Sequence, residues 1–171
     1  FHAKLDYDLI VLQYGANVLN YGTLDYTWYE KRMTKVVNHL KECFPGVAIL
    51  IVSTADKSTK YDLEMKTDSA VVPLNRAQKK YAIQSEASFV NMYILMGGDG
   101  SMVKWVEEVP SKANKDYTHF NHRGAKEAAN LIFTQLNQGY EKYKALRKKK
   151  KPAAPIKKDS VLIKKDSVNE E

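Results

Sequence analysis

Two short, almost unbroken apolar runs set the strongest limit on what this chain can fold into. Residues 7–14 (YDLIVLQY) end at Gly15, and residues 47–53 (VAILIVS) follow Pro45-Gly46. Neither alternates apolar with polar positions, so neither suits a sheet with one wet face; both suit parallel strands covered on both faces. Between them, residues 23–44 place Trp28, Met33, Val36, Val37 and Leu40 at helical spacing and stop at Pro45-Gly46. A strand, a helix and a second strand of these lengths predict an open, mostly parallel α/β sheet with flanking helices.

The alternation continues down the chain. A polar loop is expected through about Ser69, and residues 72–87 (VPLNRAQKKYAIQSEA) read as a helix with Pro73 in its first turn. Residues 88–95 (SFVNMYIL) predict a weaker third strand, and residues 96–101 (MGGDGS) a loop. Residues 102–109 (MVKWVEEV) suit a short helix or an extended connector. From His122 onward the pattern is one long amphipathic helix, with Asn121 as its N-cap.

Length and composition fit one domain with a real core: 171 residues, 44% apolar and 27% charged. No run approaches the roughly 20 apolar residues of a membrane span, which excludes a transmembrane helix. The net charge of +7 is unevenly spread. Residues 141–171 hold 11 Lys/Arg against 5 Asp/Glu, whereas residues 1–140 hold 16 against 15. A domain over residues 1–147 and a disordered Lys-rich tail over 148–171 are therefore expected; the tail repeats KKDSV and has too few apolar residues to offset its ordering entropy. The tail reads first as a solvated terminus, and second as a contact for an anionic polymer, lipid or nucleic acid. Cys43 alone makes no disulfide framework and reads as a buried structural thiol. Trp28, Tyr29 and Trp105 read as core or pocket wall. His2, His39 and His122 read as terminal or surface residues, and four scattered His give no metal-ligand spacing. No metal and no cofactor are expected.

The stretch ANKDYTHFNHRG (residues 113–124) sets Asp116 three residues before His119, just ahead of the last helix. At that spacing a loop can curl until the carboxylate accepts from one ring nitrogen, leaving the other basic and outward. Ligands of an open α/β sheet gather beyond the carboxyl ends of its strands, where Gly15 also falls.

DYTHFNHRG resembles the last motif block of SGNH/GDSL hydrolases, D-x-x-H-P-N-x-x-G: Asp116, His119, Asn121 and Gly124 match, and Phe120 replaces Pro. DLIVLQYGAN resembles the family's third block, a strand leading into G-x-N-D, with Gly15 and Asn17 matching and Val18 in place of Asp. The resemblance covers residues 5–147 and is closest to bacterial envelope carbohydrate esterases, including peptidoglycan O-acetylesterases. It implies a flavodoxin-like fold, a general base at His119, an orienting acid at Asp116 and an oxyanion site at Asn17 and Gly15. It also implies substrate-pocket residues in the 96–105 loop (Gly97, Gly98, Ser101, Trp105), an acylated carbohydrate substrate and a periplasmic or secreted location. The G-D-S nucleophile block and the second-block oxyanion glycine do not occur in this sequence. Ser101, in GGDGS, falls in the wrong order for that role. The chain is thus expected to be a C-terminal portion whose partner is the N-terminal remainder of the same hydrolase, because an apolar run at 7–14 needs neighbouring strands. The alternative is a catalytically inactive SGNH-like module that binds glycan or a partner. Removing residues 147–171 should abolish any steeply salt-dependent binding to DNA, measured across a salt titration; retained binding would place that affinity on the domain body.

Overall fold

The structure is a computed structural model that describes residues 7–149. Three parallel strands form its sheet: β1 (Leu9–Leu12), β2 (Ala48–Val52) and β5 (Ser88–Val90), in the order β1-β2-β5. Ile10 pairs with Ile49, and Ile51 with Phe89. Between β2 and β5 in sequence lies an antiparallel hairpin, β3 (Ser58–Tyr61) and β4 (Glu64–Thr67). The helices are α1 (Thr27–Cys43), α2 (Val71–Gln84), α3 (Met92–Met96), α4 (Ser101–Glu107) and α5 (His122–Lys149). The sequence-predicted α/β architecture is the one observed.

The pleat sorts side chains onto the two faces. Leu12, Ile49 and Ile51 pack with Tyr29, Met33 and Val37 of α1 and Leu74, Ala77 and Tyr81 of α2. Leu50, Val52 and Val90 point the other way, toward Met92 and Met96 of α3, Met102 and Trp105 of α4, and Ala128 of α5. The central strand β2 is buried on both faces, as its unbroken apolar run requires. β1 is covered on one face only: Leu12 is buried, while Leu9 and Val11 are 46% and 54% exposed. Its outer edge has no strand partner among the described residues.

Four expectations are corrected. The polar loop after β2 contains the β3–β4 hairpin, whose residues alternate without an apolar run; Asp62 turns it with φ 51°, a left-handed value that Asp tolerates. The third strand ends at Val90, where the Asn91 side chain accepts from the Ile94 N–H and starts α3, so MYIL is helical. Cys43 is exposed, its Sγ 3.6 Å from His39 Nε2. Trp28 is also exposed, because the buried stripe of α1 runs through Tyr29, Met33 and Val37 rather than one residue earlier. The tail beyond Lys149 lies outside the described residues. No described helix is long and apolar enough to cross a membrane.

Candidate active site

Two pieces of backbone meet the carboxyl rim of the sheet. The first is the turn after β1. Gly15 adopts φ 115°, and residues Ala16–Val18 form a single 3₁₀ turn that carries Asn17. A Cβ at Gly15 would stand 2.8 Å from Gln78 Nε2 and 3.2 Å from Thr54 Cγ2, so both the conformation and the space demand glycine. Gln78, fully buried on α2, donates to the Tyr14 carbonyl at 2.6 Å. Its Oε1 accepts from the Thr54 N–H at 3.0 Å. Asn75, one turn earlier, donates to Thr54 Oγ1 at 3.0 Å. Gln78 thus ties the turn after β1 to the residues after β2, and Asn75 braces Thr54 from the same helix.

The second piece is the loop between α4 and α5. Its two arms meet at an isolated antiparallel bridge between Ala113 and Phe120, and the Asn114 N–H donates to the His119 carbonyl at 2.8 Å. The Phe120 ring packs on Trp105, centroids 5.2 Å apart. Asn121 closes the base: its Nδ2 donates to the Ser111 carbonyl at 2.9 Å, and its Oδ1 accepts from the Gly124 N–H at 3.0 Å, which caps α5. A Cβ at Gly124 would run into the Lys112 carbonyl oxygen and come within 2.9 Å of its carbon. The motif residues Asn121 and Gly124 therefore build the loop on which Asp116 and His119 sit. The loop is joined to the start of β3, where the Ser58 N–H donates to the Tyr117 carbonyl at 3.0 Å.

At the loop tip His119 Nδ1 lies 2.9 Å from Asp116 Oδ2. The other carboxylate oxygen, Oδ1, accepts the backbone N–H groups of His119 and Thr118, each at 2.9 Å. The His119 amide first, then its ring and the Thr118 amide, hold the Asp116 carboxyl down to about 2. An ionised carboxylate only accepts, so Nδ1 is the donor in this contact and Nε2 faces away from the carboxylate. The pair is open to solvent, with the His119 side chain 75% exposed. Among the described residues Nε2 has no hydrogen-bond partner, and no three His, Cys, Asp or Glu side chains converge as metal ligands.

The residues expected to line a pocket fall elsewhere. Ser101 is buried and its hydroxyl donates to Asp56 Oδ2 at 3.3 Å. Trp105 is buried under the relay loop, where its carbonyl accepts the Lys112 and Ala113 N–H groups. Gly97 ends α3 with φ 118°, and Gly98 continues the turn with φ 77°. A concavity does open beside this segment, walled by Asp99, Gly100, Val103 and Lys104 and by the β3–β4 hairpin. Sequence reasoning missed Asn75 and Gln78. Their signal was two amides, three residues apart, on the same helical face as Leu74, Tyr81 and Ala82; a polar group there must be hydrogen-bonded.

Two outcomes follow from this geometry. Gly124→Ala should cost about 3 kcal/mol of stability, because the loop backbone must shift, and urea unfolding will read it; an unchanged midpoint would refute the contact with Lys112. The Asp116 carboxyl should titrate near 2 by carbon-detected NMR. Since its folded value is depressed, the stability it contributes is complete above about pH 4 and is lost as pH falls through 2; Asp116→Asn should remove that dependence.

No known family profile matches this sequence, and no protein of curated function matches it. Among solved structures, the chain is similar to one described as a peptidoglycan O-acetylesterase, with a TM-score of 0.69 and 24% identity over 77% of this chain and 37% of that one. A second similar structure, a protein from Lactobacillus plantarum, has a TM-score of 0.58 and 16% identity, covering 78% of this chain and 68% of that one. The chain spans little more than a third of the length of the esterase it matches. The chain shares with these structures an α/β fold, a parallel sheet flanked by helices.

Proposed function

We propose that this chain is the acid–base portion of an SGNH-type serine esterase that hydrolyses O-acyl, chiefly O-acetyl, esters on a carbohydrate. The observation that carries the reading is the 2.9 Å contact from Asp116 Oδ2 to His119 Nδ1, which leaves Nε2 basic and solvent-facing. The fold shared with a structure described as a peptidoglycan O-acetylesterase supports the choice of ester and a periplasmic or secreted location.

In this mechanism a serine hydroxyl attacks the ester carbon and passes its proton to His119 Nε2. The Asn17 side-chain amide and the backbone at Gly15 donate to the oxygen that becomes negative. Collapse breaks the bond to the sugar oxygen, which takes the proton from Nε2, and water then clears the acyl group by the same route. Asp116 stays ionised throughout and steadies the imidazolium. The serine comes from a segment outside the described residues. The unpaired edge of β1 and its exposed Leu9 and Val11 suit the docking of a further strand that brings it.

The inactive glycan-binding module is the second reading, favoured by the lack of a G-D-S sequence in residues 1–171. Hydrolysis of p-nitrophenyl acetate by the complete hydrolase separates the two. His119→Ala should abolish turnover, and Asn17→Ala should lower kcat by about 10²–10³. Equal hydrolysis after His119→Ala would sink the assignment of the base, and glycan binding without any hydrolysis would favour the second reading.

A further inference from the structure

One buried side chain links the turn that carries Asn17 to the segment that anchors the relay loop. Within the turn, hydrogen bonds are local among the described residues. The Val18 N–H donates to the Gly15 carbonyl at 3.0 Å. The Tyr26 hydroxyl accepts the Asn20 N–H at 3.4 Å and donates to the Val18 carbonyl at 3.3 Å. Asn17 itself is exposed, and its side chain holds no hydrogen-bond partner among the described residues. The bond that ties this turn to a distant element stands at its entrance, 2.6 Å from Gln78 Nε2 to the Tyr14 carbonyl.

The other end of the Gln78 amide fixes the segment that reaches the relay loop. Its Oε1 accepts the Thr54 N–H at 3.0 Å and the Thr54 hydroxyl at 3.3 Å. From there the backbone has little freedom. Asn75 Nδ2 donates to the Thr54 carbonyl, Asp56 Oδ2 accepts the Met102 N–H of α4 at 2.8 Å, and the Lys57 carbonyl accepts the Asp68 N–H at 2.8 Å. Ser58 then gives its N–H to the Tyr117 carbonyl, two residues before His119. Tyr117 stands at φ 54°, a left-handed value that costs a residue with a side chain about 1–3 kcal/mol, so partners and not local preference set this junction. A second contact joins the same two segments at the surface, where Tyr21, 60% exposed, packs on Tyr61 with centroids 5.4 Å apart. Exposed rings can slide on one another; a short, directional bond from a fully buried amide holds a distance.

The chemistry of position 78 is selective. It lies in the buried stripe of α2 with Leu74, Ala77 and Tyr81. An apolar side chain there would leave the Tyr14 carbonyl and the Thr54 N–H unpaired, at about 1–3 kcal/mol each. An ionised glutamate would accept from Thr54 but could not donate to Tyr14. A primary amide does both at once, with a fixed separation between donor and acceptor.

We infer that Gln78 is a positioning residue, which sets the separation between the Asn17 turn and the Asp116–His119 loop through Thr54, Ser58 and Tyr117. Its role in turnover rests on the esterase reading, but the coupling can be measured in this chain without catalysis. In Gln78→Met, the amide NMR resonances of residues 15–18 and of residues 117–119 should shift together. Should that variant fail to fold, Gln78→Glu, which keeps the size of the side chain and the bond to Thr54, takes its place. Shifts confined to the neighbours of Tyr14 and Thr54, with 117–119 unmoved, would overturn the coupling. In the complete hydrolase the same variant should lower kcat for p-nitrophenyl acetate by about 10²-fold and leave KM within about twofold, since groups are misplaced and no binding contact is lost. An unchanged kcat beside an inactive His119→Ala would remove the positioning role and leave the esterase standing. Joint shifts of both segments, with His119→Ala as active as the parent, would keep the coupling and remove the esterase.

Discussion

Where a parallel strand ends, its backbone amides and carbonyls lose their ladder partners, and the rim of this sheet depends on how that loss is met. Side chains meet it. Gln78 takes the Tyr14 carbonyl and the Thr54 N–H, Ser53 Oγ accepts the Met92 N–H at 2.9 Å, and Asn75 holds Thr54. Each such group left unpaired in the interior would cost about 1–3 kcal/mol. Because the amides come from α2 and not from the rim itself, the turn that carries Asn17 is fixed from behind and its front is left open.

The relay loop is fixed by the same economy of parts. Asn121 spends its donor on Ser111 and its acceptor on the first turn of α5, and Gly124 allows the Lys112 carbonyl to pass close by. The helix start and the loop closure are therefore one junction. Asp56 performs the matching task for the hairpin and α4. It is a carboxylate whose pKa burial pushes up, against the pull of the Met102, Thr67, Ser101 and Lys57 groups that donate to it. Gln78, Asn75, Ser53, Asn121 and Asp56, all buried or half-buried, thus shape the rim from behind.

The sequence made the layers of the fold readable because burial on both faces of β2 leaves no polar position in the run 49–52, and because α1 and α5 carry long stripes at helical spacing. The Asp116–His119 contact was readable too, since both partners lie in one loop and need only local curling. The hairpin was hidden by its composition: Ser58, Thr59, Lys60 and Glu64 form a two-stranded ribbon through backbone pairing and anchorage at Asp56, neither of which leaves an apolar signature. MYIL misled for the opposite reason. Its residues favour a strand, but the Asn91 cap and the packing of Met92 and Met96 against Trp105 and Ala128 select a helix. Gln78 was legible only as an anomaly, a polar residue where the stripe wanted an apolar one.

The Asp116–His119 contact closes within a single loop, so the orientation of the ring is set locally. Whatever stands before Nε2, the imidazole keeps its Nδ1 on the carboxylate, so its tautomer belongs to the loop and not to any site assembled around it.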